Sequence, residues 1–403
     1  LRAARQYGSP LYLLEPEVLR QRAATFRAAF AAVLPDVRIY FALKSNNHPV
    51  IARTLVQEGL GIDVSSGREL EQALAAGADD IMFSGPGKTT AELEQAIATA
   101  DRVVVLLDSI GELERLQEAA AARDVMVRAG ARLTTAESGL WRKFGVPLER
   151  LEQLLATAAE CSHVDLQGLQ YHMSWSLDPA PQVAFIRTVG DSLARLPVAL
   201  RRGLHFLDLG GGFWPPEGEW LHANPHAMQP AGPAVAASGA NRATRPPSPL
   251  VRPASDIEDF ADKIADALRD HLFPHIDCRI HVEPGRWLCN DAMHILLTVV
   301  DKKADDLVIV DAGTNAIGWE RFESDYFPVV NLTRPAMREH VCTIFGSLCT
   351  PHDVWGFSYH GDGIEVGDVL LVPRQGAYTF SLRQEFIKML PEVVVRAPTG
   401  WTR

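Results

Sequence analysis

A few short segments carry the residue types that covalent chemistry needs. In YFALKSNNHP, Lys44 closes a run of apolar, strand-favouring residues, so a primary amine stands where a strand gives way to a turn. Such an amine can attack a carbonyl carbon; the plain alternative is a lysine snorkelling to solvent. In LDLGGGFW an apolar strand runs into Gly210, Gly211 and Gly212. Backbone N–H groups without Cβ atoms in the way can close on an anion. A tight turn uses the same residues, and the run is not the spaced dinucleotide fingerprint. In HVEPGRW, Glu283 precedes Gly285 and Arg286, a carboxylate and a guanidinium that can pair with each other or divide between a cation and an anion. His172 in YHMSW and Cys349 in LCTPHD add an imidazole and a thiol, whose commoner fates are a satisfied core histidine and a buried small hydrophobe.

Something must hold these groups together. From about residue 20 to 210, short β-branched runs alternate with Ala/Leu/Glu-rich stretches of helical period, the pattern of repeated βα units. The strands expected are Arg38–Ala42, Gly61–Val64, Ile81–Phe83, Arg102–Leu107, Val125–Ala131, Leu166–Tyr171, Phe206–Leu209 and Cys278–Val282. Helices are expected at Gly67–Ala76, Thr90–Ala98 and Ile110–Ala122. That is the strand count of a (β/α)8 barrel, whose functional groups sit at the C-terminal strand ends, where Lys44, the glycines and Glu283 all fall. A doubly wound sheet is the structural rival. Between about 215 and 254 the chain is rich in Pro, Ala, Gly and Ser without a sustained period, which predicts a mobile insertion. After residue 282 short strands follow, His294–Val300, Leu307–Asp311, Val341–Phe345 and Val369–Pro373, separated by Gly/Asp turns. The expected organisation is a barrel over 20–280 carrying the insertion, and a β-domain, a sandwich or barrel, over 281–403 joined by residues 1–19 through the strand Leu11–Leu14.

Composition narrows the partners. The 403 residues carry a formal charge of −11, which offers no general basic surface to nucleic acid. No run of about 18 apolar residues spans a membrane and the first residues lack a signal-peptide core, so a cytoplasmic protein is expected. Five cysteines without CxxC spacing suggest neither a disulfide framework nor a zinc site.

Taken in order, YFALKSNN, FSGPGK, RKFG, the His of YHMSW, DLGGGF, EPGR, LCTPHD and GAYT resemble the fold type III pyridoxal-phosphate (PLP) decarboxylases, the group of the diaminopimelate, ornithine/arginine and carboxynorspermidine decarboxylases. The resemblance runs from about residue 10 to 390, interrupted by the Pro/Ala-rich insertion. It implies a carboxy-lyase of α/β class, a (β/α)8 TIM-like barrel with a C-terminal β-domain, and pyridoxal 5'-phosphate as cofactor. It implies that Lys44 carries the cofactor, that His172 stacks on its ring, that Glu283 faces the pyridine nitrogen, that Asp63 lies near the lysine and that Arg132 contacts the ring-oxygen side. Gly210, Gly211, Gly212, Gly285, Arg286 and Tyr378 would hold the phosphate. It also implies a homodimer with shared sites, in which Cys349, as the acid that reprotonates Cα, and Asp353 enter the neighbouring subunit's site and Lys143 of RKFG pairs with Asp353 across the dimer.

The departures bear on substrate. Diaminopimelate decarboxylases usually carry a Glu after the catalytic Cys, where this chain has Thr350, and an Asn–Gly-containing segment that GAYTFSLRQEFIKM lacks. The family's His-x-Gly-Ser becomes HMSW, which puts Trp175 where a small hydroxyl usually binds phosphate and leaves Ser174 or Ser176 to substitute. FSGPGK and LCTPHD resemble the branch acting on conjugated amino acids in secondary metabolism, siderophore precursors such as a citryl-diamino acid among them. The alternatives are diaminopimelate itself, a racemase on a related barrel, which would use a Tyr as second base, and a non-catalytic relative, which would be expected to lose the lysine or the phosphate ligands.

Overall fold

The computed structural model describes residues 1–136, 138–222, 249–318 and 325–403, in two compact units. One comprises Leu19–Pro216 and Ala254–Leu288, the other Leu1–Val18, Glu217–Pro253 and Cys289–Arg403.

The first unit is a closed parallel barrel. Its strands are Val37–Ala42, Gly61–Val64, Ile81–Phe83, Val103–Leu107, Val127–Thr134, Val164–Gln170, Phe206–Asp208 and Arg279–Val282. Each pairs in parallel with the next along the chain, and Ile280 pairs back with Val37 to shut the ring. These are the expected eight, shifted at their ends by a few residues, and closure excludes the doubly wound sheet. Their flanking helices begin where side chains can satisfy orphan N–H groups. Ser66 and Ser109 cap Gly67–Ala75 and Ile110–Ala121, and Thr89 with Glu92 forms a capping box on Thr90–Ala98. Inside the barrel, Tyr40, Met82, Val104, Leu106 and Phe206 form one buried layer. Phe206 fits because its neighbours on adjoining strands are glycines: a Cβ on Gly168 would lie 2.4 Å from its ring.

The second unit is a nine-stranded sheet. Six strands close on themselves in the order Met293–Ala304, Leu307–Val310, Glu339–Phe345, Val354–His360, Val330–Asn331, Val369–Val372 and back to Met293–Ala304. The opening strand Leu11–Leu14 joins this sheet, antiparallel to Met293–Ala304 and parallel to Glu392–Ala397.

The predicted mobile insertion needs correction at its edges. Glu219–Leu221 pairs antiparallel with Leu250–Arg252, Arg252 bridges Glu219 at 2.9 Å, and the Tyr326 N–H donates to the Trp220 carbonyl. These flanks cluster with the sheet unit. They were hidden because isolated strand formers such as Trp220 and Val251 give no period among prolines. Residues 223–248 of the insertion lie outside the described residues. Among the described residues no helix is long and apolar enough to cross a membrane.

Candidate active site

Lys44 occupies the single turn Leu43–Ser45 that follows the first barrel strand. Its Nζ donates to Asp63 Oδ2 at 2.8 Å, and Asp63 sits near the end of the next strand. The other oxygen of Asp63 accepts from Ser84 Oγ at 2.5 Å. Burial, reinforced by the charge of Glu283, raises the Asp63 pKa to about 7 against the opposing pull of Lys44 and Ser84. A primary amine and a carboxyl whose pKa is lifted to about 7 therefore stand side by side.

Beside them, within the same barrel, lies a sealed polar layer. Glu283 is 1% exposed; Gln170 Nε2 donates to its Oε1 at 3.1 Å, and His172 Nδ1 lies 3.4 Å from its Oε2. That last contact is not an ion pair. The Gly211 N–H donates to His172 Nδ1 at 3.1 Å, so Nδ1 is the acceptor and the ring proton belongs to Nε2. Burial lowers the His172 pKa further, which keeps the ring neutral. For Glu283 burial works against ionisation, and with His172 Nδ1 bare it is Lys44 and the Gln170 amide that favour the carboxylate. Glu283 is the ionised carboxylate of the layer.

The glycine loop follows from close packing. A Cβ on Gly210 would lie 2.3 Å from the Tyr171 carbonyl oxygen, and one on Gly212 would lie 2.3 Å from that of Met173; both residues have positive φ. Ser176 lies against this loop: its N–H donates to the Gly212 carbonyl at 2.9 Å and its side chain is buried. Ser176, rather than Ser174, is thus the hydroxyl placed beside the glycines. The extra residue is absorbed by Trp175, half exposed and held at φ +56°, a conformation uncommon for a bulky side chain. Arg286 opens the short helix after Glu283 and lies over the Trp214 ring at 4.6 Å, while Gly285 packs against Ser45. Arg132 is buried with its guanidinium 4.3 Å from the Phe144 ring centre of RKFG.

Of the remaining expected residues, Asp353, Cys349, Thr350 and Tyr378 belong to the sheet unit and Lys143 to the barrel. Asp353 is 1% exposed, and its carboxylate accepts from the Thr314 N–H, the Thr314 hydroxyl and the Leu348 N–H. It ties its own loop down; Lys143, its expected partner from across a dimer, is exposed and lies 5.4 Å from the Phe144 ring of its own chain. The sequence hid this because Thr314 is 39 residues away from Asp353. Cys349 is exposed, Thr350 is half-buried, and Tyr378 is held at φ +58°.

Sequence reasoning missed Ser84, Lys88, Gln170 and Asp208. Lys88, buried in FSGPGK, donates to the Gly85 and Leu106 carbonyls and to Glu112, and so pins the loop that carries Ser84. Its place in a quoted motif was a signal; nothing marked Gln170 except its nearness to His172.

Fold and site together define a barrel with a strand-end amine, a neighbouring carboxyl of raised pKa, a tightly packed glycine loop and a sealed carboxylate. These groups fit a phosphorylated aromatic aldehyde: the amine for its carbonyl, the end of the glycine loop at Gly212 with Ser176 and Arg286 for its phosphate, Glu283 for a protonated ring nitrogen. Comparison with known proteins agrees. Residues 18–227 match the pyridoxal-binding domain of the pyridoxal-dependent decarboxylases, and residues 188–376 match their C-terminal sheet domain. The chain belongs to this family and is a PLP-dependent amino-acid decarboxylase. It is 27% identical to the diaminopimelate decarboxylase of Methanothermobacter thermautotrophicus over 398 residues, 95% of this chain and 85% of that one. It is also 27% identical, over 94% of this chain and 86% of the other, to a Niallia circulans enzyme named as decarboxylating an L-glutamyl group on the BtrI acyl-carrier protein. Among solved structures, a Vibrio vulnificus lysine/ornithine decarboxylase complexed with putrescine superposes with a TM-score of 0.76 at 25% identity, covering 98% of this chain and 96% of that one.

Proposed function

We propose that this decarboxylase acts on an amino acid whose distal part is enlarged by conjugation, a citryl-diamino acid of siderophore or other secondary-metabolite synthesis being the example. The observation that carries the reading is Trp175, a half-exposed indole in a strained conformation beside the loop assigned to the phosphate. Large aromatic surface offered at a site is suited to an extended ligand rather than a short one. Thr350, in place of the Glu usual in diaminopimelate enzymes, supports the same reading. Diaminopimelate is the second reading, favoured by the naming of several relatives.

In this proposal each residue has a defined task. Bound PLP supplies the electron sink for the pair released as CO2 leaves. Lys44 holds the cofactor, and Asp63 takes and returns its proton. Gly212, Gly285, Ser176, Arg286 and Tyr378 bind the phosphate, on a loop that Gly210 and Gly211 fix in place by donating to Asp208 and His172. The neutral ring of His172 provides a flat surface, Arg132 meets the ring oxygen, and ionised Glu283 favours a protonated ring nitrogen. Cys349, contributed with Thr350 by the second copy in a homodimer, delivers the proton to Cα.

Substrate choice is tested by CO2 release from purified enzyme across free diamino acids, citrate-conjugated diamino acids and carrier-linked glutamate. The conjugates should show the highest kcat/KM, and a clear preference for diaminopimelate would overturn the reading. Site sharing is tested by mixing Lys44→Ala with Cys349→Ala. Random exchange should restore about a quarter of wild-type activity, because half the dimers carry one intact composite site. No recovery after demonstrated exchange would return Cys349 to its own subunit or to no catalytic role.

A further inference from the structure

We propose that Gln182 is a positioning residue for the cofactor phosphate: its side-chain amide donates to Ser176 Oγ and so leaves the hydroxyl proton of Ser176 to be given to the phosphate. Gln182 lies in the first turn of the helix Ala180–Arg195 and is 1% exposed, and Ser176, just before that helix, is 2% exposed. Gln182 Nε2 stands 3.2 Å from Ser176 Oγ.

The backbone of Ser176 is fixed from both sides. Its N–H donates to the Gly212 carbonyl at 2.9 Å and its carbonyl accepts from the Trp214 N–H at 3.2 Å, a parallel bridge opposite Phe213. Oγ lies against Gly212, where an added Cβ would come within 3.3 Å of it. Trp214 in turn carries the guanidinium of Arg286 over its ring. Hydroxyl, glycine loop and guanidinium are thus all tied to the short stretch 212–214. What the backbone leaves undecided is the rotation of the side chain and the direction of its proton, and Gln182 acts on both.

A serine hydroxyl has a single proton to give and lone pairs to accept with. The amide of Gln182 occupies a lone pair, and among the described residues the proton has no acceptor. A buried hydroxyl in that condition is a donor suited to an anion. Turning the amide over would put Gln182 Oε1 on Ser176 and consume the proton. It would also strand both amide N–H groups in a buried place, whereas the observed setting strands Oε1, and orphaned carbonyl oxygens are better tolerated than orphaned N–H groups. The inference rests on the reading that the phosphate lies at Gly212, Ser176 and Arg286.

The test is titration of the cofactor-free protein with PLP and with pyridoxal, which lacks the phosphate, in wild type, Ser176→Ala, Gln182→Met and the double variant. Ser176→Ala should weaken PLP about tenfold and leave pyridoxal within about twofold, the scale of a single hydrogen bond to a charged group. Gln182→Met should weaken PLP about threefold, again with pyridoxal unchanged, and the double variant should bind PLP no more weakly than Ser176→Ala, because Gln182 acts through the hydroxyl alone. Equal losses of PLP and pyridoxal in Gln182→Met, no loss of either, or losses that multiply in the double variant would overturn the proposal. If Gln182→Met does not fold, Gln182→Glu decides: its carboxylate accepts the hydroxyl proton, so PLP should weaken about tenfold with pyridoxal unchanged, and wild-type PLP affinity would overturn the proposal. Wild-type PLP affinity in Ser176→Ala would instead remove the serine from the phosphate site, and the underlying reading would fall together with the inference.

Discussion

The two ends of the barrel both bury ionisable groups, but they dispose of charge in opposite ways. At the N-terminal end, Arg38 binds Asp80 through two nitrogens and Arg279 pairs with Asp36, all four partly exposed, around a cavity of about 900 Å³. Within it His281 stacks on Phe206 with ring centres 4.6 Å apart, and burial first, with Arg279 and Arg38 after it, lowers its pKa to about 3. Charge there is either paired near water or removed. At the C-terminal end Asp63 and Glu283 are sealed from solvent beside the partly exposed amine of Lys44. What distinguishes the working end is a cluster of buried carboxyls with shifted pKa values beside a strand-end amine, the usual mark of function.

If that contrast is right, substitutions at the two ends should fail differently. Lys44→Ala should give a folded protein, by circular dichroism, with activity at background, because the group that holds the cofactor is gone. Turnover near the wild-type rate would remove Lys44 from the mechanism. Glu283→Gln should retain PLP, by absorbance after gel filtration, while kcat falls by orders of magnitude, since a neutral amide no longer favours a charged ring nitrogen. An unchanged kcat would assign that task elsewhere. Ser84→Ala should lower activity by about tenfold or less, the scale of one hydrogen bond. Ser84 holds the Asp63 pKa down, so its loss should move the acidic limb of the rate profile upward from about 7; a limb that stays put or moves down would uncouple Ser84 from Asp63.

The smallest effect belongs to the other end, and it concerns stability alone. His281 has a folded pKa of about 3 against an ordinary 6.5, so its neutral form is the one the fold accepts. Its contribution is intact above 6.5 and is lost as pH falls from there towards 3, at up to about 1.4 kcal/mol per pH unit. His281→Asn removes this loss, so urea melts should show the variant gaining on wild type as the medium is acidified, with kcat unchanged. A constant difference across that window would mean that His281 titrates as it does unfolded.

Much of this was legible in one dimension. The barrel strands could be read because each is a short β-branched run bounded by helix-forming stretches, and Lys44, Gly210–Gly212, Glu283 and Arg286 because amine, glycine run and charged pair each follow such a run. The edges of the insertion were not, since Trp220 and Leu221 find their partners in Leu250, Val251 and Tyr326 rather than in a local period.

The sequence by itself determined which residues could do chemistry and the alternation that brings them to strand ends, because both are carried by local composition and period. Only the tertiary structure decided which of them share a proton. Closure of the barrel brings Gln170 to Glu283 and sets Asp63 between Lys44 and Ser84. The fold of the sheet unit turns Asp353 onto Thr314 and Leu348. Apart from the Leu348 bond, five positions from Asp353, these hydrogen bonds join residues 19 to 113 positions apart, and no spacing along the chain reports them.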